Sequence, residues 1–368
     1  MRSFEEDLQA LFRHLCIDGI MTNLLKEVKQ LKALILGGTG VISRQIVERG
    51  LMAGHEVAVF NRGTKRLPFA GDVEWIHGDK SDRAGFAKLM EGRRFDAVID
   101  MISFNETDAR STVETFKHSA GQLIICSSVA VYKRPYRSNP IREDAEELFD
   151  NPVFGYAYEK AQMERYLQQV IREGELPVTI IRPSLTYGVG AANLGVLRQN
   201  YNIVHRIRSG KPLVMFGDGT TPWSFTFAPD LAKAFVGAIG NKRTFGQAYH
   251  ATNEEVRVWN DLYLEFGRIL GIEPNIVHIP SDLLIRANPG LFAHLYYEKG
   301  YSGLMDNAKV KRDIPSFEVA ISLNEGLQMM LDWYEAEADK VDADKDALED
   351  RLADLHAQWG RQMDALNV

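Results

Sequence analysis

The chain has 368 residues, 45% apolar and 25% charged, and a net charge of −7, a balance that suits one large or two moderate globular domains and disfavours a nucleic-acid surface built on clustered Lys and Arg. Its cysteines, Cys16 and Cys126, lie far apart, and no histidine pair has metal-ligand spacing, so neither a disulfide framework nor a metal site is expected. No apolar run approaches the roughly 18 residues of a membrane span, and the acidic Glu5-Glu6-Asp7 start differs from a secretory signal, so a cytoplasmic protein is expected.

Residues 1–30 place Phe4, Leu8, Leu11, Phe12 and Leu15 at helical spacing, which predicts an amphipathic N-terminal helix. An apolar run, Ala33 to Leu36, then stops at Gly37, Gly38 and Gly40, and helix-spaced Val41, Ile42, Ile46, Val47 and Leu51 follow. With the β-branched run Glu56–Asn61 this reads as strand, glycine turn, helix, strand. Such a turn lets a dinucleotide pyrophosphate approach the backbone and rest on free N–H groups at a helix N-terminus.

The alternation continues. Strands are predicted at 73–76, 96–102, 122–128 and 177–182, and helices at 82–91, 107–118 and 155–173, with Ser81-Asp82 capping the first of them. Repeated strand–helix units predict an α/β fold with a doubly wound, Rossmann-type parallel sheet. Ligands in such sheets bind at the carboxyl ends of the strands. There Gly37, Asp100 to Phe104 (with Ser103), Ser127, Ser128 and Arg182 to Tyr187 (with Pro183) are expected to converge. After residue 189 the pattern loosens into helices near 195–208, 229–239, 259–271 and 281–287 and short strands near 213–215 and 247–250. The expected organisation is an N-terminal extension (1–30), a dinucleotide-binding domain (31–188), a smaller mixed substrate region (189–332) and a charged C-terminal helix (333–368).

Tyr156 and Lys160 are four apart on the predicted 155–173 helix and so share a face. An ammonium beside a phenol favours the phenolate, and the expectation is a Tyr156 pKa lowered towards neutrality. Such a phenol takes a proton from a secondary hydroxyl while a hydride leaves the same carbon for a nicotinamide. Ser128, ending the preceding strand, is expected to orient the substrate oxygen. Tyr158 has no lysine one turn on and is expected to pack.

These residues resemble an extended short-chain dehydrogenase/reductase of the NAD-dependent epimerase/dehydratase family. The resemblance runs through Gly37-Gly-Thr-Gly-Val-Ile42, Ser127-Ser-Val-Ala-Val-Tyr132, Tyr156 to Lys160, Arg182 to Gly188, and Phe216 to Gly219 with Asp230. It implies a catalytic Ser128–Tyr156–Lys160 set. It implies NAD held by Gly37, Gly38, Thr39, Gly40, Val41 and Ile42, with Asp79 near the adenine and Lys160 on the nicotinamide ribose. It also implies a homodimer.

The sequence departs from the family pattern at four places. Ser43 replaces the third glycine. Asn61-Arg62 stands where an acidic residue binds the ribose hydroxyls, which leaves NADP open beside NAD. Trp223 takes the position of an arginine that binds substrate pyrophosphate, which favours a less charged carbohydrate- or nucleoside-like substrate, with Asn193 as a further polar contact. Val129 and Ala130 replace an Asp–Glu pair used in elimination, and the acidic run Glu143 to Glu147 reads as a solvated loop. The expected function is an epimerase or dehydratase working by transient oxidation of a secondary hydroxyl. The alternatives are a reductase or dehydrogenase with net turnover, and a non-catalytic RNA- or ligand-binding protein.

Overall fold

A computed structural model describes residues 30–190, 194–198, 201–336 and 341–366. The expected N-terminal helix, Cys16 and Asn193 lie outside the described residues. The first half alternates β1 (Lys32–Leu36), α1 (Val41–Met52), β2 (Glu56–Asn61), β3 (Val73–His77), α2 (Arg83–Met90) and β4 (Ala97–Asp100). It continues through α3 (Glu106–Phe116), β5 (Leu123–Cys126), α4 (Gly155–Glu173) and β6 (Val178–Arg182).

The inner strands β1, β4 and β5 read apolar almost throughout because both faces are covered. Along β1, Ala33 and Ile35 enter one core, and Leu34 and Leu36 the other. Helix starts follow local capping chemistry: the Asp82 side chain accepts from Gly85 N, and that of Asn105 from Asp108 N.

The second half carries β7 (Leu185–Tyr187), α5 (Tyr201–Arg208), β8 (Leu213–Phe216), β9 (Pro222–Trp223), β10 (Phe225–Phe227), α6 (Ala228–Ala238) and β11 (Gln247–His250). Then come β12 (Arg257–Val258), α7 (Trp259–Leu270), β13 (Ile276–Ile279), α8 (Ser281–Ala287), α9 (Pro289–His294), α10 (Ala308–Asp313), α11 (Leu323–Ala336) and α12 (Ala343–Asp364). The charged C-terminal segment is thus helical over Ala343–Asp364, and a separate helix, Leu323–Ala336, precedes it.

The central sheet has seven parallel strands in the order β11-β6-β5-β4-β1-β2-β3. Its last strand comes from inside the expected 189–332 region: Gln247 to His250 pair in register with Thr179 to Arg182. A buried polar bundle ties this edge. Gln122 Nε2 donates to Thr179 Oγ1 (2.9 Å), Thr179 Oγ1 donates to Thr244 O (2.8 Å), and Gly240 N donates to Gln122 Oε1 (2.9 Å). Helix α6 likewise packs on α1.

The remaining elements form their own core around Trp223, Trp259, Tyr263 and Phe266. Helix α12 is fastened there by Arg206, whose fully buried guanidinium bridges Asp346 (2.6 Å), Asp350 (2.8 Å) and Glu349 (3.3 Å). Beyond that clamp Leu355 and Trp359 face solvent. Among the described residues no helix is long and apolar enough to cross a membrane.

Candidate active site

The strand order reverses between β1 and β4, and a crevice opens at their carboxyl ends, as expected where crossovers diverge. Gly37 and Gly38 take left-handed backbone (φ +116° and +79°) that side chains rarely adopt. A Cβ on Gly38 would sit 2.4 Å from Val59 Cγ1, so the turn closes against β2 only without one. Ser43, at the third small position, has a role of its own: its Oγ accepts from Gly40 N (3.0 Å) and closes the first turn of α1. The cleft above this turn has a volume of about 670 Å³, with Thr39, Val41, Ile42, Asn61, Arg62 and Asp79 among its walls. A cradle free of Cβ atoms under a cleft of this size fits a dinucleotide.

At the β2 end, Asn61 Oδ1 accepts from Gly63 N (2.8 Å) and lies 3.3 Å from His77 Nδ1. This small turn bends the chain back so that Arg62, Thr64 and Lys65 line the cleft. The Asp79 carboxylate, held below its usual pKa chiefly by Ser81 N, accepts both that amide (2.9 Å) and the Ser81 hydroxyl (2.8 Å).

Ser128 follows the end of β5, and its Oγ accepts from Ala130 N (3.1 Å). Tyr156 stands in the first turn of α4 and lies in hydrogen-bonding reach of Ser128. The residue is 46% exposed, yet protein atoms enclose its hydroxyl, and that burial pushes the phenol pKa well above the ordinary tyrosine range; the Ser128 contact pulls the other way and loses. The expected lowering by Lys160 does not occur. The Lys160 ammonium turns into the sheet and donates to Ser103 O (2.7 Å) and Cys126 O (2.9 Å). Burial holds its pKa below the usual lysine value. Tyr158, in the same turn of α4, packs against the cluster around Val131 and Phe154 and accepts from Gln162 Nε2 (3.2 Å).

Beneath Lys160 lies a network not expected from the sequence. Lys80 Nζ donates to Asp100 Oδ2 (2.6 Å) and to Ser103 Oγ (2.6 Å). Asp100, fully buried, also accepts from Ser103 Oγ (2.7 Å) and Thr112 Oγ1 (2.7 Å). Its desolvation is outweighed by the Lys80 charge and these bonds, so its pKa lies below the usual range. The Cys126 thiol is buried, and that burial pushes its pKa up to about 11.

Several expected substrate contacts, and Pro183 among the expected cofactor contacts, are elsewhere. The Ser103 hydroxyl is spent on Asp100, and the side chain is fully buried. Tyr187 is a core residue whose hydroxyl donates to Ser322 O (3.4 Å). Trp223 is 1% exposed, with its ring 5.4 Å from that of Trp259 and packed over Gly303; its length suits a second core, not the cleft. Pro183 is buried, its carbonyl accepting from Val129 N (3.0 Å). Phe104 alone of the 103–104 pair reaches the surface, half exposed with Lys160 Nζ 5.0 Å from its ring centroid.

Glu143 is not solvated as expected: its Oε1 accepts from His250 N (2.9 Å). Arg182 is also internal, ion-paired with Glu164 and donating to Tyr132 Oη (2.7 Å).

Residues 33–251 match the model of the NAD dependent epimerase/dehydratase family. Among curated proteins, the chain is 24% identical over 264 residues to a 2'-dehydrokanamycin reductase of Streptomyces kanamyceticus, covering 72% of this chain and 74% of that protein. It is 26% identical over 266 residues to a chloroplast stem-loop binding protein of 41 kDa of Arabidopsis thaliana, covering 67% and 65%. A solved UDP-glucuronic acid 4-epimerase of Bacillus cereus in complex with NAD superposes with a TM-score of 0.64 at 19% identity, over 83% of this chain and 99% of that one.

Proposed function

Since the chain belongs to the NAD-dependent epimerase/dehydratase family, we propose that it interconverts a secondary alcohol and a ketone on a carbohydrate- or nucleoside-like substrate, using a nicotinamide dinucleotide. The observation that carries this reading is the Ser128–Tyr156 pair, facing one another beside the ammonium-bearing turn of α4 and next to the glycine-floored cleft. The backbone of Gly37 to Gly40 would hold the pyrophosphate, and a bound nicotinamide supplies or accepts the hydride.

Tyr156 moves the proton at the substrate oxygen, and Ser128 orients that oxygen through its hydroxyl. Lys160 has three donors, two of them committed to Ser103 O and Cys126 O, which leaves one for the nicotinamide ribose. Phe104, half exposed beside Lys160, serves as an apolar wall.

Transient oxidation, with epimerisation as its outcome, fits this machinery. Elimination fits less well, because Val129 and Ala130, where acid–base groups would stand, are apolar and buried. One observation favours a second reading, net reduction: burial keeps the Tyr156 phenol protonated at neutral pH, the form that donates to a carbonyl. A homodimer belongs to this reading, and sedimentation would measure it.

The test is turnover of a panel of keto- and hydroxy-sugars by wild type and Tyr156→Phe. The variant should lose about 10²–10⁴-fold in kcat with dinucleotide binding intact. Full activity in Tyr156→Phe overturns the mechanism.

A further inference from the structure

The β2 end of the cleft has a chemistry that the family name does not predict. A dinucleotide whose ribose keeps its free 2′-hydroxyl is met at this point by a carboxylate, whereas a 2′-phosphate is met by a guanidinium. Here the strand ends in Asn61 and Arg62, and no carboxylate follows before residue 72. Arg62 and Lys65 both line the cleft with Thr64 between them. The side chains of Arg62, Thr64 and Lys65 are exposed and have no hydrogen bond or ion pair among the described residues.

The cleft carboxylate in electrostatic range of Arg62 is Asp79, and Ser81 N and Oγ already occupy its Oδ1. Two cations with no ion-pair partner and a hydroxyl donor therefore stand at this end of the cleft against one carboxylate, Asp79.

Asn61 supplies a second, independent sign. Gly63 N–H can only donate, so the Asn61 oxygen must face it and the amide nitrogen must face away. That Nδ2 is buried and has no partner. A buried donor without an acceptor costs about 1–3 kcal/mol, and what this corner lacks is an acceptor. A phosphate presents several, in charge-assisted geometry, to Asn61, Thr64, Arg62 and Lys65.

Resting on the dinucleotide reading above, we infer that Asn61, Arg62, Thr64 and Lys65 form a 2′-phosphate subsite, and that the chain takes NADP(H) in preference to NAD(H). The subsite acts on affinity for the adenosine end of the cofactor and leaves the reacting end to Ser128, Tyr156 and Lys160.

The experiment measures dissociation constants by calorimetry for NADP⁺, NAD⁺, 2′,5′-ADP and 5′-AMP. NADP⁺ should bind at least about tenfold more tightly than NAD⁺, and 2′,5′-ADP should exceed 5′-AMP by a similar factor, since one charge-assisted contact is worth about that much. The preference should shrink as salt rises. Arg62→Ala and Lys65→Ala should each weaken NADP⁺ by about three- to thirtyfold and leave NAD⁺ within about twofold. Asn61→Asp keeps the oxygen that Gly63 needs and places the other oxygen at the subsite, so the preference should reverse.

Equal or tighter binding of NAD⁺ by wild type, or equal weakening of both dinucleotides in Arg62→Ala, overturns the inference while the redox reading stands. Failure of every dinucleotide to bind overturns both.

Discussion

Two buried cations in this chain have similar surroundings and different consequences. Lys80 lies beneath the cleft, bonded to Asp100 and Ser103, and Ser103 in turn receives Lys160 through its carbonyl. Arg206 lies in the second core, bridging Asp346, Glu349 and Asp350, and touches nothing in the site. Each is a cation removed from water and returned its hydrogen bonds by carboxylates, an arrangement that costs little when intact and much when halved. The difference is in what hangs on the pair. The first fixes the loop that holds a site lysine. The second fastens a terminal helix. Burial and charge alone do not distinguish a functional network from a structural one; the next bond outward does.

Mutation sharpens this contrast. Arg206→Leu removes the buried guanidinium that Asp346, Glu349 and Asp350 share and should cost about 3–5 kcal/mol in urea unfolding, with dinucleotide affinity of the folded fraction unchanged. Lys80→Met should cost about 3 kcal/mol, the lower end of that range, because Asp100 keeps the Ser103 and Thr112 hydroxyls. Unlike Arg206→Leu, it should also weaken dinucleotide binding and lower kcat. If calorimetry finds the dinucleotide affinities of the two variants the same, the contrast is wrong.

Acid provides a third measurement. Burial above all, with Arg182 nearby, holds His250 down to about 3. In the unfolded chain the same imidazole titrates near 6.5, so the unfolded state takes up the proton first. Stability is therefore full above about pH 6.5 and should fall by about 1.4 kcal/mol per unit below it, towards pH 3. Asp100 acts in the same sense at lower pH: its depressed pKa adds stability above the ordinary carboxylate range, lost only as pH falls through that range and below. Urea midpoints between about pH 7 and 5 should show a slope that shrinks in His250→Gln.

The smallest effect belongs to Trp359. It stands past the Arg206 clamp on α12 and faces solvent, so Trp359→Ser should change monomer stability by less than about 0.5 kcal/mol. A larger, concentration-dependent loss in thermal unfolding would instead identify the outer half of α12 as the contact between two copies.

The first half of the chain was legible because its signals are local. Glycines at a strand end and periodicity over nineteen residues located the turn and α4, the latter with its observed bounds. The Ser128–Tyr156 meeting followed from the order of strand and helix. What stayed hidden depends on contacts distant in sequence. Lys80 carries no local signal, because its partner Asp100 stands twenty residues on, and nothing nearby in sequence announces the pair.

Trp223, by the family pattern, and Tyr187, by its place at a strand end, stand where ligand contact is expected, yet the second half builds a core of its own and absorbs both. The pKa of Tyr156 departs from expectation for the same reason: helical spacing sets Lys160 on its face, but two carbonyls distant in sequence, Ser103 O in the loop after β4 and Cys126 O at the end of β5, draw the ammonium away. Short strands such as β7, β9 and β12, two or three residues long, are too brief to leave a periodic trace.

The seventh strand makes the two halves inseparable in time as well as in space. Until residue 250 has been made, β6 presents an unpaired edge, and Gln122 and Thr179 wait for Thr244 and Gly240 to accept and donate. An open parallel edge invites pairing with other chains. A fragment ending near residue 188 should therefore aggregate and not behave as a cofactor-binding module. In the ribosome's order of synthesis, the dinucleotide cleft becomes a stable object only after most of the second region has emerged.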